Sequence, residues 1–215
     1  EGLENEFLAL RGKLKVALIG RIAAVKGIED FVNASIMVAQ TRSDVGFMVI
    51  GAVEDEELFN KVKTAVDQAG LGDRVIFTGR RDDVPTILQD IDLLVCASTS
   101  EGLPNSCLEA MAASKAVVAT RCGGAEEVIS DGENGYLVPV GDPQELGLAI
   151  LKAINDPGCL DLMGAHGRGI VTAQFSAQSC ANQYEDLYRQ LIDEGHGNGR
   201  NHRQWDEVFL LLASN

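Results

Sequence analysis

Along the chain, short runs of unbroken apolar residues alternate with longer stretches whose apolar positions recur at helical spacing. LKVALIG (14–20), GFMVIG (46–51), RVIFTG (74–79), IDLLVCAS (91–98), AVVAT (116–120) and GYLVPV (135–140) are of the first kind. Their shortness and continuity predict strands buried on both faces. Between them, amphipathic spacing predicts helices near 27–40, 55–70, 84–89, 106–114 and 125–130. After Asp142 the pattern is helical nearly to Glu194. No internal repeat is visible.

Apolar strands that alternate with helices imply a parallel sheet covered on both faces, with right-handed crossovers. The expected fold is therefore α/β: a doubly wound parallel sheet of about six strands with helices on both faces. Such sheets bind ligands at the carboxyl ends of their strands, near the switch in strand order. The loops after Gly20, Gly51, Gly79 and Ser98 should then line one crevice. Residues 1–195 read as one domain and 196–215 as a tail. In that tail HGNGRNHRQ has linker composition and WDEVFLLLA gives a single apolar burst.

Charge narrows the partners. The chain of 215 residues carries a formal net charge of −14 and a pI near 4.5. That balance argues against wrapping nucleic acid or lying on an anionic membrane. A phosphate site must be a local positive spot built from particular Arg or Lys residues and helix N-termini. No apolar run reaches membrane-spanning length, and EGLENEFLALRGKLK at the N-terminus lacks the apolar core of a signal peptide. The cytosol is the expected setting. The five cysteines include no C-x-x-C pair, so reduced, packing thiols are expected.

Two stretches hold candidate chemistry. In GRIAAVKG (20–27), Arg21 and Lys26 follow the first strand and stand beside a helix start. Two cations there suit a diphosphate; the competing reading is a pair of solvated surface charges. The stretch is neither a dinucleotide fingerprint nor a Walker A loop, which disfavours hydride transfer and P-loop ATPase chemistry. In EGLPNSCLE (101–109), Glu101 sits at a strand end before a glycine. Ser106 and Glu109 match the S-x-x-E capping box, a structural role for Glu109 that competes with a functional one. The helix start near Asn105 attracts an anion. Glu101 on the preceding loop and Glu109 one turn into the helix could each hold hydroxyls beside that anion. Phosphate between two sets of hydroxyls describes a nucleoside diphosphate sugar, with the sugar at Glu101 and the ribose at Glu109.

These blocks, with VIFTGRRDDV (75–84), EGLPNSCLEAMAASKAVVATRCGGAEEVI (101–129) and GENGYLVPVGDPQELGLAI (132–150), resemble the donor-binding, C-terminal half of a retaining glycosyltransferase of the GT-B fold, family four type. The resemblance covers about Leu14 to Leu191. It implies that Arg21 and Lys26 bind the donor diphosphate and assist its departure. Glu101, the first acid of E-x7-E, would contact the transferred sugar and count with those two cations as catalytic. Glu109 would hold the ribose. Gly102, Leu103, Pro104 and Asn105 would face the sugar and phosphates, and the segment Gly79–Val84, with Arg81, would lie beside the nucleobase. The resemblance implies no metal and no cofactor; the donor would be a UDP-sugar or GDP-sugar, ADP-sugar being less favoured. Family members carry an N-terminal acceptor domain absent from this sequence. The acceptor, a sugar, lipid or other hydroxyl compound, would be held there, and that half could bring the protein to a membrane surface. The chain alone is then expected to be an inactive half. An epimerase or phosphorylase on the same scaffold, or a non-catalytic nucleotide-sugar binding module, remain as other readings.

Overall fold

Six strands form one parallel sheet: β1 (Leu14–Ile19), β2 (Val45–Ile50), β3 (Val75–Gly79), β4 (Leu93–Cys96), β5 (Ala116–Thr120) and β6 (Gly135–Val138). The computed structural model describes residues 10–196; the predicted linker after His196 and the apolar burst of the tail lie outside them. Spatial order is β3-β2-β1-β4-β5-β6. The chain therefore winds outward from β1 to β3, returns to the other side of β1, and winds outward again. The reversal falls between β1 and β4, where Val16 pairs with Leu93 and Ala17 with Leu94. At that point the connections on either side diverge and leave a crevice at the carboxyl ends of the strands.

The strands are where the unbroken apolar runs placed them. All six residues of β2 are buried, as a central strand covered on both faces requires. One face carries Val16, Leu18, Phe47, Val49, Leu93, Val95 and Val118 in a single core. Alternation sends Ala17, Met48, Leu94 and Val117, all equally buried, to the other.

Helices fill the crossovers. They are α1 (Ile28–Thr41), α2 (Glu56–Gln68), α3 (Val84–Asp90), α4 (Asn105–Ala112) and the single turn α5 (Ala125–Val128). The helical pattern after Asp142 resolves into α6 (Pro143–Ile154), α7 (Pro157–Gln174) and α8 (Ala177–His196). Asp142 caps α6 by accepting from the amides of Gln144 and Glu145. Leu146, Ile150 and Ile154 of α6 share the core with Phe31 and Val38 of α1.

Phe31 of α1 meets Phe47 of β2 edge to face, ring centres 6.3 Å apart. Truncating either fully buried ring would cost about 3–5 kcal/mol. An exposed ion pair contributes about 1 kcal/mol at most, so the seam between α1 and the sheet, not surface charge, holds the crevice floor in place. The chain divides into a larger unit through Thr172 and a smaller one from Ala173.

Candidate functional site

Lys26 ends a 3-10 turn, Ala24–Lys26, that immediately precedes the predicted first helix. Gly27 then adopts φ 63°, a left-handed conformation costly for any residue with a Cβ. A Cβ there would also stand 1.9 Å from the carbonyl oxygen of Ala97. The turn is thus seated directly on the end of β4, and the Thr99 amide donates to the Val25 carbonyl at 2.8 Å. Lys26 runs its methylenes past Gly20, where an added Cβ would lie at ordinary van der Waals distance from them.

The ammonium reaches Glu101. Lys26 Nζ donates to Glu101 Oε1 at 2.5 Å, and the side chains are 25% and 16% exposed. The same oxygen accepts from the Ser98 hydroxyl at 2.8 Å. Glu101 is not on a free loop. Its amide donates to Cys122 and its carbonyl accepts from Gly124, which makes an isolated parallel bridge with Gly123. Gly124 lies so close to Gly102 that a Cβ would stand 1.9 Å from the Gly102 carbonyl oxygen. The segments after β4 and β5 are locked edge to edge, and the Glu101 carboxylate is aimed by that lock.

Beyond Glu101, Gly102, Leu103 and Asn105 are exposed and Pro104 is buried. Pro104 is the N-cap of α4, with φ −75°, and no side chain caps the helix. Ser106 therefore lies inside the first turn, and the expected Ser106–Glu109 capping box does not form. Glu109 is exposed on α4. It lines a groove of about 340 Å³ with Val84, Pro85, Leu88 and Gln89 of the α3 segment and Ala112 and Ala113 at the end of α4. The amides of Asn105 and Ser106 form the open, positively polarised end of α4.

Arg21 has a different partner. Its guanidinium is hydrogen-bonded to Glu54, with the two side chains 61% and 51% exposed. The loop after β2 that carries Glu54 is pinned to the loop after β1: the amides of Glu54 and Asp55 both donate to the Ile22 carbonyl. Asp55 in turn caps α2 through the Leu58 amide. On the far side, the Gly79 carbonyl accepts from the Gly51 amide at 2.9 Å. Arg81 grips Asp83 through two bonds of 2.9 Å, and that guanidinium holds the Asp83 carboxyl below its ordinary range.

The four strand-end loops thus meet as expected, with Lys26 and Glu101 in contact and Arg21 on the adjoining segment. Three residues that pattern reasoning did not single out take part in these contacts: Ser98 and Thr120 behind Glu101, and Glu54 beside Arg21. The Thr120 hydroxyl donates to the Ser98 carbonyl at 2.5 Å. Beneath them, the Cys107 thiol's hydrogen bond, with burial, pushes the Cys96 thiol up to about 12. Cys122 is likewise raised, by Cys96 and by burial. All five cysteines are free.

A model of the family described as glycosyl transferases group 1 matches residues 13–156. The chain belongs to that family. The sheet and its helices are those of the C-terminal, Rossmann-like half of a GT-B fold. The C-terminal domain of a glycosyl transferase group 1 protein (LpcC) from Francisella tularensis superposes with a TM-score of 0.74 at 31% identity, covering 81% of this chain and 94% of that one. Anabaena HepE in complex with UDP-glucose gives a TM-score of 0.80 at 26% identity, over 87% of this chain and 51% of that one. A lipopolysaccharide core biosynthesis mannosyltransferase from Rhizobium leguminosarum is 33% identical over 86% of this chain and 53% of its own length. An N-acetyl-alpha-D-glucosaminyl L-malate synthase from Bacillus anthracis is 31% identical over 83% of this chain and 46% of its own. The chain spans about half the length of the curated relatives it matches. Among the described residues no helix is long and apolar enough to cross a membrane.

Proposed function

We propose that this chain is the donor-binding half of a retaining, family-four-type glycosyltransferase and takes a nucleoside diphosphate sugar, a UDP-sugar first and a GDP-sugar second. The observation that carries the reading is the half-buried Lys26–Glu101 contact, at the switch in strand order and beside the open end of α4. One cation and one acid meet where a diphosphate joins a sugar.

In this reading the diphosphate lies between Lys26, Arg21 and the amides of Asn105 and Ser106. Gly102, Leu103 and Pro104 wall the sugar, and Glu101 accepts from its hydroxyls. Glu109, with no capping duty, accepts from the ribose at the mouth of its groove, and the segment from Gly79 through Arg81 borders the base. Transfer breaks the bond between the anomeric carbon and the diphosphate oxygen, which keeps the electron pair. Lys26 and Arg21 stabilise the charge that develops there. The acceptor hydroxyl attacks on the face the diphosphate leaves, and its proton departs with the diphosphate. The acceptor would be held by a further half of the size that makes up the rest of the relatives' length. This reading includes cytoplasmic placement, directly or at a membrane surface through that half.

Both cations are already paired with carboxylates, so donor binding is an exchange of partners. Calorimetric titration of the chain with UDP, UDP-glucose, GDP and ADP tests the reading. UDP and UDP-glucose should bind in the micromolar to millimolar range, and ADP more weakly. Absence of binding by every nucleoside diphosphate at millimolar concentration overturns it.

A further inference from the structure

The Glu101 carboxylate uses its two oxygens unequally. Oε1 takes both the Lys26 ammonium and the Ser98 hydroxyl; among the described residues Oε2 has no hydrogen-bond partner. Ser98 is 2% exposed, and its surroundings fix it from three sides. Thr120 holds its carbonyl oxygen. The Cys96 thiol lies 3.8 Å from its Oγ as donor, and burial with the Cys107 contact keeps that thiol protonated. A serine hydroxyl has one proton to give, and here it goes to Glu101.

A diphosphate entering the crevice would draw the ammonium toward two negative charges. Without another donor, Glu101 would become a half-buried carboxylate with no partner, which is strongly unfavourable. It would also lose its direction at the step where a sugar must be oriented. We infer that Ser98 is a positioning residue for the sugar end of the donor: it retains Oε1 of Glu101 when Lys26 moves to the diphosphate, leaving Oε2 for a sugar hydroxyl. The inference rests on the donor-binding reading above and adds to it a residue outside the E-x7-E stretch, tied to the sugar rather than to the nucleotide.

The test compares UDP-glucose with UDP by calorimetry on the chain, wild type and Ser98→Ala, with thermal melting to check folding. Ser98→Ala should weaken UDP-glucose by about fivefold to tenfold, the size of one ordinary net hydrogen bond, and UDP by less than about twofold. Ser98→Thr, which keeps the hydroxyl, should recover most of the loss. In a Glu101→Gln background Ser98→Ala should change the UDP-glucose to UDP ratio little, because the carboxylate it positions is gone. Where Ser98→Ala does not fold, Thr120→Val reaches the same network through the Ser98 carbonyl and should lower the same ratio. Equal losses for both ligands, or an undiminished Ser98→Ala effect with Gln at 101, make Ser98 merely structural and overturn the inference alone. A wild-type chain that binds neither ligand overturns the donor reading and this inference together.

Discussion

Arg21 and Lys26 belong to one short loop, yet they stand in different electrostatic worlds. Lys26 is drawn inward: its turn rests on Ala97 through Gly27, and its carboxylate partner is bridged to the segment after β5. Arg21 reaches outward to Glu54, and more than half of each side chain is exposed. Water and salt screen the outer pair but barely the inner one. Proximity in sequence made the two cations look equivalent. Burial, which depends on the neighbouring strand ends, separates them into an anchored charge and an adjustable one.

The comparison can be broken most forcefully at its foundation. Gly27→Ala adds a Cβ in a left-handed conformation against the Ala97 carbonyl and should lower stability by roughly 3 kcal/mol or more. Urea denaturation reads this directly, and an unchanged midpoint would mean that the Lys26 turn is not seated on β4. Lys26→Ala comes next, and should weaken UDP by about tenfold to a hundredfold, as for a lost charge-assisted bond in a partly buried site. Arg21→Ala should cost about threefold to tenfold, since an exposed charge acts through a better-screened field. Equal losses for the two would erase the distinction.

A finer effect is expected from removing a competitor. Glu54→Gln frees Arg21 for the ligand and should tighten UDP by about twofold to threefold at low salt, a gain that fades near 0.5 M salt as screening lengths shrink. A gain that persists at high salt would place Glu54 in a drier setting than its exposure indicates. The smallest effect concerns the loop after β3. Arg81 lowers the Asp83 pKa, so the pair contributes above the ordinary carboxylate range and is lost as pH falls through the depressed value. An NMR titration should find the Asp83 midpoint below about 3.9, and Arg81→Ala should return it there. Between pH 5 and 8 the pair should be insensitive to pH.

The strands were legible because burial on both faces leaves no room for polar interruption, as the fully buried β2 makes plain. Their common crevice followed from the alternation of strands and helices. The capping box failed for a local reason. Pro104 takes the N-cap with extended dihedrals, so the helix begins before Ser106 and the matching spacing has nothing to cap. Glu54 and Ser98 were illegible for another. Arg21 and Glu54 are 33 positions apart, and Thr120 and Ser98 are 22 apart. Contacts of that span are created by strand register and leave no periodic signal. Even Lys26 and Glu101, both singled out from sequence, gave no hint that they would bond directly across 75 positions.

The lock between Glu101 and Gly123–Gly124 has a consequence for recombination. A glycosyltransferase chimera that exchanged 121–124 for a segment with a side chain at 124, leaving 101–104 in place, would drive a Cβ into the Gly102 carbonyl oxygen and would turn the acid away from the crevice. The two segments form a single cassette, and donor preference grafted between relatives should travel only when both halves of it are moved.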